Sequence, residues 1–222
     1  AMNSGPAIGD SGPAGGIVVM NNYDKTIRGF DRHTGRLVWS QPGIGMGGGS
    51  ATVVNGTAYI GSWNSNLYAL EATSGAVLWQ YDTKGSIESH PAFSDGIVYA
   101  SSETSPGTLT AVEASTGREL WNYSGATEEM NGSPTLTRDL VWVGANDEYM
   151  HVLDKRSGVL RFKFKTCGNV FSSAAISDEG MAFFTCNSGT AANSGRLGDP
   201  VGTGIAYAVN PTLHMQQGAV YK

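Results

Sequence analysis

Side chains able to do chemistry concentrate in a few short stretches of this sequence. Glu88-Ser89-His90 and Glu129-Met130-Asn131 offer carboxylates, an imidazole and an amide. Oxygen and nitrogen donors of this kind suit a cation or a hydrogen-bonding ligand; acid–base catalysis would further require them to surround one reacting atom. Two cysteines, Cys167 and Cys186, stand 19 residues apart. No other cysteine and no histidine cluster accompanies them, so zinc is a poor fit. They form either a disulfide, worth about 3 kcal/mol by closing that segment, or two separate thiols, with the balance tipping to the thiols. Trp63 and Phe171 add flat apolar surface in segments rich in turn residues.

What positions these groups is a repeat. Phe30-Asp31-Arg32-His33-Thr34-Gly35 leads to Trp39, and Ala69-Leu70-Glu71-Ala72-Thr73-Ser74-Gly75 leads to Trp79. The phrase returns as Ala111-Val112-Glu113-Ala114-Ser115-Thr116-Gly117 before Trp121, and in weakened form as Val152-Leu153-Asp154-Lys155-Arg156-Ser157-Gly158 before Phe162. A spacing of about forty residues marks a repeat architecture. Upstream of each phrase, short apolar runs alternate with turns such as Asn55-Gly56 and Asp95-Gly96. Four runs per repeat, bounded by two- to six-residue turns, read as a four-stranded antiparallel meander. No stretch has helical periodicity. Meanders that cannot bury both faces alone stack radially, so the fold class is an all-β propeller.

About five blades are expected, over approximately residues 4–40, 48–82, 88–124, 131–165 and 171–222, as one propeller domain or part of one. Five copies in strict phase, with no strand left over to lace a ring shut, favour part of a larger propeller over a closed five-bladed ring. Open terminal faces would invite self-association. Net charge is −5, and no basic stripe is present, which argues against nucleic acid. No apolar run reaches the length of a membrane-spanning helix.

In such a blade, the loop leading into the inner strand and the turn between the second and third strands share one face. That face gathers Trp63, Glu88, His90, Glu129, Asn131 and Phe171 as ligand-binding candidates around a channel mouth. The same residues also describe an ordinary hydrated, acidic channel rim. Segment 187–204 departs from the repeat: it is long and rich in Gly, Ser, Asn and Ala, which suggests either mobility or a lid or partner contact. Candidate catalytic and metal residues are absent.

The repeated Ala-x-acid, Thr/Ser-Gly and docking Trp closely resemble the quinoprotein (PQQ) dehydrogenase-like propeller repeat over nearly the whole chain. The resemblance implies the propeller fold and leaves function open, because the family holds alcohol and sugar dehydrogenases, outer-membrane assembly scaffolds and propellers attached to adenylating enzymes. Its dehydrogenases stack a quinone between a Trp and a ring made by two adjacent cysteines, and hold calcium with Glu, Asn and Asp. Cys167 and Cys186 are not adjacent, the mouth carboxylates form no recognisable calcium loop, and no haem-attachment motif is present. The expectation is a non-catalytic binding or scaffolding domain without a redox cofactor, its partners a protein or the remaining blades of a larger chain. The alternatives are part of a quinone-dependent alcohol or sugar dehydrogenase using PQQ and calcium, or a carbohydrate- or surface-binding module using exposed Trp63, Tyr23 and Tyr149 near the mouth. The resemblance slightly favours a location outside the cytoplasm.

Overall fold

The computed structural model describes residues 5–9, 16–44, 47–187 and 205–211. Segment 188–204 and the last strand of the fifth repeat lie outside the described residues. Successive hairpins build five antiparallel sheets in chain order. The first holds β1 (Ala7–Ile8), β2 (Ile17–Asn21), β3 (Thr26–Asp31) and β4 (Leu37–Pro42). The second holds β5 (Thr52–Val54), β6 (Thr57–Gly61), β7 (Asn66–Glu71) and β8 (Val77–Asp82). The third holds β9 (Ala92–Ser94), β10 (Ile97–Ser102), β11 (Thr108–Glu113) and β12 (Glu119–Tyr123). The fourth holds β13 (Thr135–Leu136), β14 (Leu140–Gly144), β15 (Tyr149–Asp154) and β16 (Leu160–Lys165). Among the described residues the fifth has three strands, β17 (Ala175–Ile176), β18 (Ala182–Cys186) and β19 (Ile205–Val209). Among the described residues the five sheets do not close into a ring.

Turn chemistry sets the registers. Asn55-Gly56 and Asp95-Gly96 take positive φ at both positions (49° and 80°; 54° and 77°). This is the two-residue turn whose twist matches the flanking strands. It pairs Val54 with Thr57 in one hairpin and Ser94 with Ile97 in the next.

The Thr/Ser-Gly turns are closed by their own acid and main chain. Asp31 Oδ1 accepts from the Thr34 N–H at 2.7 Å and the Thr34 hydroxyl at 2.8 Å, while the Gly35 N–H donates to the Asp31 carbonyl at 2.8 Å. Asp154 repeats the pattern with Ser157, and Glu71–Ser74 and Glu113–Thr116 supply longer versions. Each turn ends in a glycine with φ between 69° and 75° (Gly35, Gly75, Gly117, Gly158), a region that a Cβ penalises.

These turns receive the tryptophan of the preceding blade. A Cβ on Gly75, Gly117 or Gly158 would lie 2.7, 2.7 or 2.5 Å from the Cδ2 of Trp39, Trp79 or Trp121. Each indole N–H then donates to the carbonyl three residues before the glycine: Trp39 to Ala72 at 2.9 Å, Trp79 to Ala114 at 2.9 Å, Trp121 to Lys155 at 3.2 Å. Tyr59 and Tyr99 send their hydroxyls to the Ala114 and Lys155 carbonyls as well. Opposite each Trp stands a small residue, in the pairs Gly29–Trp39, Ala69–Trp79 and Ala111–Trp121; the fourth blade pairs Val152 with Phe162. A register shift follows each pair at the same place, and such bulges add local twist. Nearer the axis, the Thr52 and Thr135 hydroxyls donate to the Pro91 and Ala174 carbonyls of the next blade. The hydrophobic core is therefore distributed between blades, with Tyr59, Leu67 and Ala69 meeting Val98, Ala100 and Val112 in one layer.

Gly75→Val and Gly117→Val each force a β-branched residue to positive φ, a strain of roughly 1–3 kcal/mol, and displace an indole as well. Gly35→Val meets the same strain, but no described atom lies within 4 Å of its Cβ, so it is expected to be the mildest of the three. Urea denaturation of the three variants checks this ordering, and a Gly35→Val loss equal to the others would contradict it.

Candidate functional site

Main-chain hydrogen bonds fix the geometry of the mouth. The loop leading into the third blade donates from Ile87 N–H to the Ser62 carbonyl of the second blade at 3.1 Å, and accepts at Ser86 from the Glu103 N–H at 2.8 Å. The next loop repeats this, with Met130 N–H to the Ser102 carbonyl at 3.2 Å and Asn146 N–H to the Glu129 carbonyl at 2.8 Å. In the following one, Val170 donates to Ala145 at 3.1 Å and Asn187 donates to Asn169 at 2.9 Å. Each lead-in loop is thus tied both to the turn of the blade before it and to the turn of its own blade.

Between the second and fourth blades this arrangement brings together Glu88, Glu103 and Glu129. Glu88 is exposed and runs beside Gly48, whose missing Cβ would lie 3.5 Å from the Glu88 Cβ. Glu103 is half-buried. Desolvation by burial, then the charge and hydrogen bond of Glu88, then the charge of Glu129 raise its pKa to about 7. Glu129 accepts from the Asn146 side-chain amide at 3.0 Å, while the Oδ1 atoms of Asn131 and Asn146 are buried without a described partner. Glu103 was not among the candidates drawn from the sequence. It sits in a turn that has no acid at the matching place in the first, second or fourth blade, so no repeat signal marked it.

The remaining candidates scatter around this group. His90 donates its backbone N–H to the Ser133 hydroxyl at 2.9 Å, and partial burial lowers the pKa of its ring. Phe171 is 50% exposed. Trp63 is half-buried rather than freely presented: it meets Tyr23 edge to face at 5.7 Å, and its indole nitrogen is buried without a described partner. Tyr149 is capped by the Lys163 and Lys165 ammoniums, 4.5 and 4.6 Å from its ring centre. These placements correct the expectation of freely exposed aromatic rings at Trp63, Tyr23 and Tyr149, because neighbouring turns and long side chains cover them.

Beneath the turn of the fourth blade, Asp147 and His151 form a buried pair at 3.0 Å, and Tyr123 of the third blade reaches His151 Nδ1 at 2.9 Å. Burial works to raise the Asp147 pKa, but the His151 hydrogen bond and charge outweigh it and the pKa is lowered. The Thr127 N–H also bonds Asp147 at 3.3 Å, so this polar joint holds a lead-in loop to the next blade.

Cys167 and Cys186 are joined in a disulfide, with a Cα–Cα distance of 6.0 Å. The separate-thiol reading favoured by sequence is thereby overturned. The lead-in loop and the end of β18 run side by side, held by the Asn169–Asn187 bridge, which brings the two sulfurs within bonding range.

A quinone site would need planar apolar surfaces on both sides of the ring and a hard cation beside its oxygens. Trp63 is engaged edge-on with Tyr23, and the two cysteines close a 19-residue segment instead of forming an adjacent pair. Among the described residues no group of three His, Cys, Asp or Glu is arranged to hold a metal ion. The described residues do not fit quinone and calcium.

Radial four-stranded sheets joined by Trp–Gly contacts define this chain as a β-propeller of the PQQ-like repeat class. Residues 23–169, more than half of the chain, match the family described as "Outer membrane protein assembly factor BamB", and the chain belongs to that family. The curated Escherichia coli K12 protein of that name is 30% identical over 196 residues, covering 82% of this chain and 49% of the relative. The crystal structure of BamB from Moraxella catarrhalis superposes with a TM-score of 0.68 at 18% identity, covering 82% of this chain and 57% of that one. The fold is shared equally with the quinohemoprotein alcohol dehydrogenase of Comamonas testosteroni (TM-score 0.65, 15% identity, 85% of this chain and 42% of that one). The chain spans about half the length of the curated relatives it matches.

Two outcomes follow. Because the folded Glu103 carboxyl holds its proton up to about pH 7 and the unfolded one releases it near 4.5, the folded state binds more protons in between. Stability from this group therefore falls as pH rises through that window. Thermal melts from pH 4 to pH 8 are expected to show the decline, and Glu103→Gln to flatten it; an unchanged profile in the variant would contradict the assignment. Reducing the Cys167–Cys186 bond is expected to lower stability by about 3 kcal/mol, as closure of a 19-residue segment implies. Denaturation with and without a thiol reductant measures it, and coincident curves would show the bond idle.

Proposed function

We propose that this chain is a non-catalytic, cofactor-free propeller scaffold that docks a protein partner on its acidic mouth, as part of an outer-membrane assembly factor. The observation that carries this reading is family membership over residues 23–169. The mouth supports it chemically. Glu88 and Glu129, on lead-in loops held by main-chain bonds, converge with Glu103 on the turn of the third blade, and no described Lys or Arg pairs with any of them. A basic segment of a partner would supply the missing charge, speeding encounter and fixing register. Trp63, His90, Asn131 and Phe171 would form the rim of that contact. The disulfide favours an oxidising compartment, in keeping with a site of action outside the cytoplasm, and no helix of the described residues is long and apolar enough to cross a membrane.

Calorimetric titration with a short lysine-rich peptide tests the mouth, and titration with PQQ plus calcium tests the alternative. The expected result is peptide binding that weakens with salt and is lost in Glu88→Gln/Glu129→Gln, with no heat from PQQ. Micromolar PQQ binding that disappears in Glu88→Ala would favour the dehydrogenase reading instead.

A further inference from the structure

The loop leading into the fifth blade copies the loop leading into the third, with one addition. In the third, Thr83 bonds the Ser65 carbonyl through its N–H at 2.8 Å and the Gly85 carbonyl through its hydroxyl at 2.8 Å. In the fifth, Thr166 bonds the Glu148 carbonyl at 2.9 Å and the Gly168 carbonyl at 2.7 Å in the same way. The Ile87 and Val170 N–H groups then make matching bonds to Ser62 and Ala145, and the Ser89 and Ser172 hydroxyls to Ser101 and Thr185. These bonds are enough to shape the third-blade loop, where Lys84 stands at the place of Cys167. The Cys167–Cys186 bond is therefore restraint beyond what the loop needs to fold.

Phe171 rides on this doubly fixed loop. It follows Val170 as Glu88 follows Ile87 and Asn131 follows Met130, so packing does not dictate the side chain at this place. Its ring is 50% exposed. Glu88 is exposed too, although the fourth blade comes after it, so the position itself faces outward. A large ring left in water on a cross-linked loop has the character of an interface anchor, a rigid aromatic that loses little freedom on contact.

The acidic group lies beside it. Ala145 accepts the Val170 N–H at 3.1 Å, and the adjacent Asn146 donates to the Glu129 carbonyl from its main chain at 2.8 Å and to the Glu129 carboxylate from its side chain at 3.0 Å. Phe171 and Glu129 are thus linked through two neighbouring residues, which keeps their Cα atoms within roughly 20 Å, the reach of about six extended residues. We infer that Phe171 is the apolar anchor of this mouth, held ready by the Cys167–Cys186 bond, and that the segment docking there pairs a lysine or arginine with an aromatic or long aliphatic residue no more than about six positions away. This rests on the mouth binding a basic segment, as proposed above, and adds the second side chain that the segment carries. The unpaired carboxylates supply the charge that the cation meets, and Phe171 supplies the surface that its apolar neighbour covers. Ordering a loose loop at the moment of contact would cancel part of that gain, and the disulfide removes the cost.

Calorimetric titration of the protein with two peptides of equal charge tests this, one carrying a phenylalanine within that reach of a lysine and the other a serine in its place. The phenylalanine peptide is expected to bind roughly tenfold more tightly. Phe171→Ala is expected to bring the two affinities together, and Phe171→Leu to restore most of the preference. Cys167→Ser/Cys186→Ser, its fold checked by a melting curve, is expected to narrow the preference. Hydrogen exchange over residues 166–172 in the oxidised and the reduced protein gives a second reading, slower while the bond is intact. Equal, salt-sensitive affinity for both peptides would overturn the inference and leave the acidic mouth standing, whereas binding of neither would remove both. A preference that survives Phe171→Ala would overturn the anchor. Exchange that is the same with and without the bond would overturn the part given to the disulfide.

Discussion

An indole laid on a glycine holds this molecule together. Trp39, Trp79 and Trp121 each lay a large rigid ring between blades while donating to a main-chain carbonyl of the next blade, two of which a tyrosine hydroxyl also reaches. The contact works only because the receiving turn lacks a side chain, and the turn stays open to the ring only because glycine accepts positive φ. One residue thus answers two demands, a conformational one within its own blade and a steric one from its neighbour. The small residues Gly29, Ala69 and Ala111 across the strand from each Trp belong to the same constraint. Where the Trp becomes Phe162, its cross-strand partner grows to Val152, which keeps the volume of the layer nearly constant.

This joint was legible in the sequence because it repeats. Thr-Gly followed by Trp at fixed spacing disclosed the blades, and Asn55-Gly56 and Asp95-Gly96 disclosed the hairpins whose backbone angles they require. The mouth was legible as a place but not as an arrangement. Glu88 and Glu129 stood out by position, yet Glu103, whose proton affinity burial raises, lies where the repeat predicts an ordinary turn. Its character arises from burial and from two neighbours contributed by other loops, and neither leaves a trace in local composition. Cys167 and Cys186 show the same limit: what joins them is a main-chain bridge between Asn169 and Asn187, a register that cysteine spacing alone does not reveal.

Sharing a fold with both an assembly factor and an alcohol dehydrogenase, at 18% and 15% identity, follows from where the joint's chemistry resides. The acceptor is always a backbone carbonyl, so the residue bearing it is free to be Ala72, Ala114 or Lys155 without altering the bond. Lys155 uses that freedom to reach Asp95 of the neighbouring blade at 3.0 Å. The architecture constrains few side chains and says correspondingly little about chemistry, which is decided at the mouth.

The six main-chain bonds that tie the lead-in loops to their neighbouring turns make no demand on the side chains they carry. Glu88 can become any residue that tolerates its backbone angles while Ile87 and Ser86 go on holding the loop in place. The mouth therefore has the property that lets antibody frameworks diversify: substitutions there are nearly free in folding terms and costly or profitable only in recognition. Under selection, such a surface changes partners faster than it changes shape.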